Sequence, residues 1–176
     1  MQTWAYGIAV LFGASALCVM SSTQRPASVL TGRAAESVRV LETGVASHPE
    51  DVATTRRLAQ AYLDARQPGL ALALLGAAPS AVRDDVRARH VLARALLDQG
   101  RNDQALDVES GVVTSCRSPW GGVAPGCDPV LFASALRRAS ILQEMVILGV
   151  KDAAAHPEAS LVAYQNATRE AHVSLE

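Results

Sequence analysis

Hydrophobic positions fall along this chain in two regimes. The first is one unbroken run: Trp4 to Met20 is apolar or small throughout, and residues 1–24 carry no charged side chain. A helix from Thr3 to Ser22 would be about as long as a ~30 Å hydrocarbon core requires. Two expectations compete for it. One is an uncleaved membrane anchor through residues 3–22. The other is a secretory signal cleaved after Ser21, where Val19 and Ser21 meet the small-residue rule. The run is long for the apolar part of a signal, and no basic side chain precedes it, so the anchor is the main expectation. A buried helix is a third reading. Leu17 stands where a lipid-attachment site at Cys18 would need a small residue.

The second regime is periodic and all-α. After a linker at 25–32, Val38, Leu41 and Val45 recur at spacings of three and four, as on one face of a helix. Ser47-His48-Pro49-Glu50-Asp51 ends that helix and opens the next, with proline and acidic residues suited to a first turn. The second helix reaches about Ala65. Its partner starts near Pro68 and carries Leu70, Ala71, Leu74, Leu75 and Ala78. Pro79-Ser80 breaks it, and a long helix follows to Gln99, stopped by Gly100. Asn102 or Asp103 caps the next helix, which would bury Ala105, Leu106, Val108 and Val112 and is weakened by Glu109 and Gly111. Residues 116–128 read CRSPWGGVAPGCD, aperiodic and full of breakers, hence a loop. Asp128-Pro129 opens a helix to about Leu148, closed by Gly149. A last helix starts at Pro157-Glu158, with Leu161, Tyr164, Thr168, Ala171 and Leu175 in one stripe. The expected division is therefore 1–24 anchor or signal, 25–32 linker, 33–115 helical repeats, 116–128 cysteine-flanked loop, and 129–176 terminal hairpin.

Part of this pattern is written twice. Leu58-Ala59-Gln60-Ala61-Tyr62-Leu63-Asp64 returns 34 residues later as Leu92-Ala93-Arg94-Ala95-Leu96-Leu97-Asp98, and Ala71-Leu72 returns as Ala105-Leu106. A fixed period of this length marks stacked helical hairpins, none of which can bury its apolar face alone.

Composition sharpens the picture in two places. The chain is 49% hydrophobic but only 4% aromatic, so its packing residues are chiefly small, as suits close helix crossings. Net charge is −1, which gives no global electrostatic case for nucleic acid. Lys151 is the only lysine among many arginines, a bias expected of a GC-rich bacterium. Of the three cysteines, Cys116 and Cys127 flank the loop and Cys18 lies in the apolar run. A disulfide between the first two would staple a segment with little core of its own, worth ~3 kcal/mol in the chain-entropy model. That pairing requires export. Otherwise two free thiols sit in a cytoplasmic loop. Arg25, Arg33 and Arg39 follow the apolar run and would hold the soluble part in the cytoplasm. The cysteine pair points to the periplasmic side. The expectation is a bacterial inner-membrane protein with a periplasmic domain, the alternatives being export after cleavage and a cytoplasm-facing domain.

Candidate chemistry is sparse. His48, His90, His156 and His172 are not paired at ligand spacing. The loop offers two cysteines and no histidine, which does not make a zinc site. No phosphate loop, metalloprotease helix or nucleophile elbow is present. No enzyme, metal or cofactor is expected. Asn166-Ala167-Thr168 fits a glycosylation sequon, relevant only in a eukaryotic secretory chain. Trp120, between Pro119 and two glycines, is either an exposed contact anchor or a ring packed on the neighbouring hairpin.

Over residues 33–115 the pattern resembles the tetratricopeptide repeat. The first copy matches at Leu58-Ala59, Tyr62, Ala71, Leu75 and Ala78; Thr55 takes the bulky opening position and Arg83 stands where proline is usual. The second matches at Leu92-Ala93, Leu96, Gly100 and Ala105 and departs at Glu109 and Val112. Leu41, Gly44 and Pro49 fall in register with the end of a truncated repeat before both. The resemblance implies that Ala59, Ala71, Ala93 and Ala105 lie at close crossings, and that Tyr62, Leu75 and Leu96 fill the gaps between hairpins. It also implies a partner groove lined by the first helix of each hairpin. The matching positions are Arg56, Gln60 and Leu63, then Arg87, His90, Arg94 and Leu97. Such a mixed apolar and basic surface suits a protein or peptide carrying acidic groups. The asparagines of the family's carboxylate clamp for chaperone tails are absent. The resemblance is specific for fold and nearly silent about function; the expected function is a membrane-tethered protein-interaction module, the alternative a permanent structural subunit of a larger membrane complex, and a distant third an enzyme or cofactor carrier.

Overall fold

Eight helices make up the described part of the chain: α1 (Arg33–Ser47), α2 (Val52–Asp64), α3 (Pro68–Ala77), α4 (Ser80–Arg83), α5 (Val86–Asp98), α6 (Asn102–Cys116), α7 (Pro129–Ile147) and α8 (Pro157–Val173). The computed structural model describes residues 32–125, 127–153 and 155–173, apart from the side chains of 33, 34 and 170–173. The apolar run, the expected anchor at 3–22, most of the linker, the side chain of His172 and the end of the last stripe at Ala171 and Leu175 lie outside it. No described helix is long and apolar enough to cross a membrane. The only β-type pairing among the described residues is one antiparallel bridge, Arg117 to Val123.

The written repeat is a spatial one. α2 starts at Val52 and α5 at Val86; α3 starts at Pro68 and α6 at Asn102, so both helices return 34 residues later. Asp51 and Asp85 open the two hairpins. Asp51 accepts from the Ala53 and Thr54 amides and Asp85 from that of Ala88, supplying acceptors to first-turn N–H groups that have none inside the helix. The hairpin turns match as well. The Gln67 N–H reaches back to the Tyr62 carbonyl and that of Arg66 to Leu63, and Arg101 and Gly100 repeat this with Leu96 and Leu97. This closure needs one left-handed residue, Arg66 at φ 56° in the first turn and Gly100 at φ 70° in the second. The same turn closes α7 through Gly149 and Val150. A Cβ at Gly100 would stand 2.8 Å from the Lys151 carbonyl oxygen, so the second turn abuts the third and requires glycine.

Packing follows the small residues. Ala59, Ala71, Ala93 and Ala105 have no exposed surface at all, and Leu58, Tyr62, Leu75 and Leu96 surround them. α1 lays Val38, Leu41 and Val45 on α2, and the Tyr62 hydroxyl donates to Glu42 Oε1 at 2.8 Å. Each helix packs chiefly on its sequence neighbours, with α5 also against α2 and α3, and α6 against α7. The array is thus a stack of hairpins, α2/α3, α5/α6 and α7/α8, preceded by the single helix α1.

The structure corrects four local expectations. Residues 80–99 are two helices, because Asp85 turns extended (ψ 126°) to cap α5. α2 begins at Val52, so Pro49 belongs to the preceding turn and not to a first helical turn. α6 has no side-chain cap: Asn102 lies inside it, buried, and its amide instead donates to the Val150 carbonyl. On α8 the expected stripe faces outward, with Leu161 55% and Tyr164 49% exposed, while Ala159, Ala163 and Ala167 face inward. Their spacing of four lets α8 lie close to α7, and the larger apolar residues are displaced to the open side.

Replacing Ala93 with leucine is expected to overpack its crossing and cost ~1–3 kcal/mol in chemical denaturation; Ala59→Leu should behave alike. Burial, then the hydrogen bond and charge of Glu42, push the Tyr62 phenol from its ordinary value near 10 up to about 12. The fold therefore favours the neutral phenol. Its contribution to stability should be complete below pH 10 and lost as pH rises towards 12, with one tyrosine ionising late by ultraviolet absorbance and ionising earlier in Glu42→Gln.

Candidate functional site: a buried charge cluster and a bridged loop

The repeat places Glu109 where the first hairpin has Leu75, in the heart of the stack, and its side chain is completely buried. A carboxylate out of water must be matched by cations and donors. α5 supplies His90, whose Nδ1 lies 2.6 Å from Glu109 Oε1. α7 supplies Arg138, with Nη1 3.6 Å from Glu109 Oε2 and 2.8 Å from the His90 carbonyl oxygen, to which it donates. Arg138 Nη1 also lies 3.2 Å from His90 Nδ1, and its bond to the His90 carbonyl holds the backbone of α5. Burial draws the Arg138 guanidinium below its ordinary value, Glu109 opposes that shift and Arg94 adds to it; an arginine so placed stays charged. The cluster therefore ties α5, α6 and α7 together at a single point.

Ser134 Oγ stands 3.4 Å from His90 Nε2, so serine, histidine and carboxylate fall in the order used by serine hydrolases. Ser134 is exposed on α7, so the row runs from the buried Glu109 outward to the surface. No group of three or more His, Cys, Asp or Glu side chains among the described residues is placed to hold a metal ion.

The residues expected to line a groove divide. Arg87 is exposed, and Arg56 and Gln60 are half-buried. Gln60 donates to Asp64 Oδ1 at 2.9 Å, and Arg94 meets the same oxygen at 3.6 Å, so these three link α2 to α5. Leu63 is 3% exposed and belongs to the core, Leu97 packs between two apolar clusters, and His90 is turned into the Glu109 cluster. The part of this set left open to solvent is thus Arg56 and Arg87, with Arg94 and Gln60 beside Asp64.

Glu109 was visible in the sequence as a departure from the repeat, and a charged residue at a core position signals a buried partner. Which partner was not visible: His90 and Arg138 lie 48 residues apart and meet only because α7 folds back on α6.

The loop after α6 is ordered by its own bonds. The sulfurs of Cys116 and Cys127 are at disulfide-bonding distance, their Cα atoms 5.5 Å apart. Cys116 is fully buried on the inner face of α6, so the bridge fastens the loop to the core. The Ala124 N–H donates to the Cys116 carbonyl, Ser118 to Gly122, and Gly121 to Ser118. Trp120 sits at the tip and is 95% exposed, so its ring does not pack on the neighbouring hairpin. At the loop's base a groove of about 470 Å³ opens between α6 and α7, lined by Ser110, Val113, Thr114, Arg117, Ser118, Pro119 and Ala139.

No family model matches this chain, and no similar curated protein or solved structure is found.

Glu109→Ala should leave the half-buried His90 and Arg138 without their carboxylate and cost ~3–5 kcal/mol in chemical denaturation. The double change Glu109→Leu with Arg138→Met restores the residue type of the first hairpin and should recover most of that loss, since a buried ion pair and an apolar pair of similar volume are about equal. A double variant no more stable than Glu109→Ala would contradict that tie.

Proposed function

We propose that this chain is a non-enzymatic, tetratricopeptide-like protein-interaction module, tethered to a bacterial inner membrane through residues 3–22. The observation that carries the reading is the recurrence of one hairpin after 34 residues, with the same caps, turns and fully buried alanines. Stacked hairpins of this kind serve chiefly to present extended surfaces to other proteins. A periplasmic position for the folded part is supported by the Cys116–Cys127 pair, since such bridges persist in oxidising compartments. The partner would be a protein or peptide with acidic groups, because the solvent-facing part of the first-helix surface is led by Arg56 and Arg87. A permanent place in a larger membrane complex is the second reading. It is favoured by α8, which leaves Leu161, Val162 and Tyr164 between 43% and 55% exposed.

The test is a photoreactive side chain at position 87 of the full chain in intact cells. The module reading expects an adduct with another polypeptide that disappears when Arg56→Glu is added. No polypeptide adduct at either 87 or 56 overturns it. Near-complete adduct formation at position 164, with none at 87, favours the permanent subunit.

A further inference from the structure

Trp120 is 95% exposed, and an indole held out on a fixed tip is a ready contact anchor. Trp120 is so held. The Arg117–Val123 bridge, the Ser118–Gly122 hydrogen bond and the cysteine bridge fix the hairpin, and the Trp120 N–H itself donates to Ser118 Oγ at 3.2 Å. Beside this knob lies a hole. The groove of about 470 Å³ shares Ser118 and Pro119 with the same loop. Ser110, Val113 and Thr114 line it from α6, Arg117 from the residue just after it, and Ala139 from α7. Its chemistry suits an indole. Val113, Ala139 and Pro119 give apolar walls, the Ser110 and Thr114 hydroxyls offer acceptors for an indole N–H, and the exposed Arg117 guanidinium can lie over the ring face. The volume is within the ~300–1,000 Å³ of sites that take small organic groups.

We infer that the occupant of this groove is Trp120 of a second copy of the chain, exchanged reciprocally about a two-fold axis. A knob and a hole side by side in one patch are what a self-complementary interface requires, because each copy then gives and receives in a single encounter. Net charge of −1 sets no electrostatic barrier between copies. Two aromatic anchors bury ~150–250 Å² each, well below the ~1,200–2,000 Å² of a stable complex, so the dimer is weak and concentration-dependent. This inference does not depend on the proposed groove on α2 and α5, which lies on other helices.

The experiment uses the purified full chain in detergent micelles with Trp4→Phe, which leaves Trp120 as the sole indole. Sedimentation and tryptophan emission are followed together over a hundredfold range of concentration. The expected result is a monomer–dimer transition accompanied by a blue shift of Trp120. Trp120→Ala and Ser110→Phe, both at exposed positions, should each weaken dimerisation at least tenfold with an unchanged helical circular dichroism spectrum. Mixing the two variants should recover part of it, since the intact groove of one accepts the intact indole of the other. Dimerisation equal in Trp120→Ala, a chain monomeric throughout, or no recovery on mixing overturns the inference. A blue shift that appears only on adding anionic phospholipid vesicles also overturns it, and gives the tip to a lipid surface.

Discussion

A two-helix hairpin of about thirty residues has too little interior to stand alone, and every feature of this chain answers that constraint. The fully buried alanines at 59, 71, 93 and 105 let helices approach until larger neighbours such as Leu58, Leu75 and Leu96 close the remaining space. Because each apolar face is completed by the next element, α5 and α6 occupy the pivotal place. α5 covers α2 and α3 on one side, and α7 covers α6 on the other. Loss of fit at their crossings would open both sides at once, whereas α1 and α8 each support one boundary.

The third hairpin does not join by repetition. Its turn is the same, but the helix-to-helix spacing is not, and the loop of 117–128 intervenes. Where the first interface uses Leu75, this one uses Glu109 with His90 and Arg138. An apolar contact tolerates sliding; a buried carboxylate with one hydrogen bond and one ion pair tolerates it less. The exchange of leucine for glutamate gives up part of the hydrophobic gain and fixes one seating of α7. Asn102 on Val150 and the close approach of Gly100 to Lys151 fix the same hairpin at its other end. Two distant polar ties on one interface set its angle as well as its position.

The repeated half of the fold was legible in the sequence because it is local. Period, caps and turn residues sit within a few positions of what they control, and Ala59, Tyr62 and Gly100 behave as their spacing implied. Misreadings arose where distant contacts decide. Asn102 had the residue type of a cap, but the Val150 carbonyl claims its side chain. Leu161 and Tyr164 had helical spacing, but so did Ala159, Ala163 and Ala167, and only the shape of α7 selects between the two faces. His90 occupied a surface register and was drawn inward by a carboxylate 19 residues away. Cys116 and Cys127 were readable because both ends of their loop are adjacent in sequence.

α6 joins these two kinds of site. Glu109, Val112 and Cys116 recur along its inner face, and Ser110, Val113 and Thr114 of the groove lie beside them, with Arg117 just past the helix end. On α7, Arg138 of the cluster is followed directly by Ala139 of the groove. The ion pair that seats α7 therefore also sets the width of the groove, since its walls belong to the two helices that the pair holds together. The cysteine bridge fixes the remaining wall by pinning Ser118 and Pro119 to the end of α6. A change at Glu109 that left the helices intact but let α7 shift would reach the groove without touching any residue that lines it. The buried cluster and the exposed tryptophan are in this sense parts of one device: the first makes the interface rigid, and rigidity is what lets a knob and a hole on one surface keep a fixed distance.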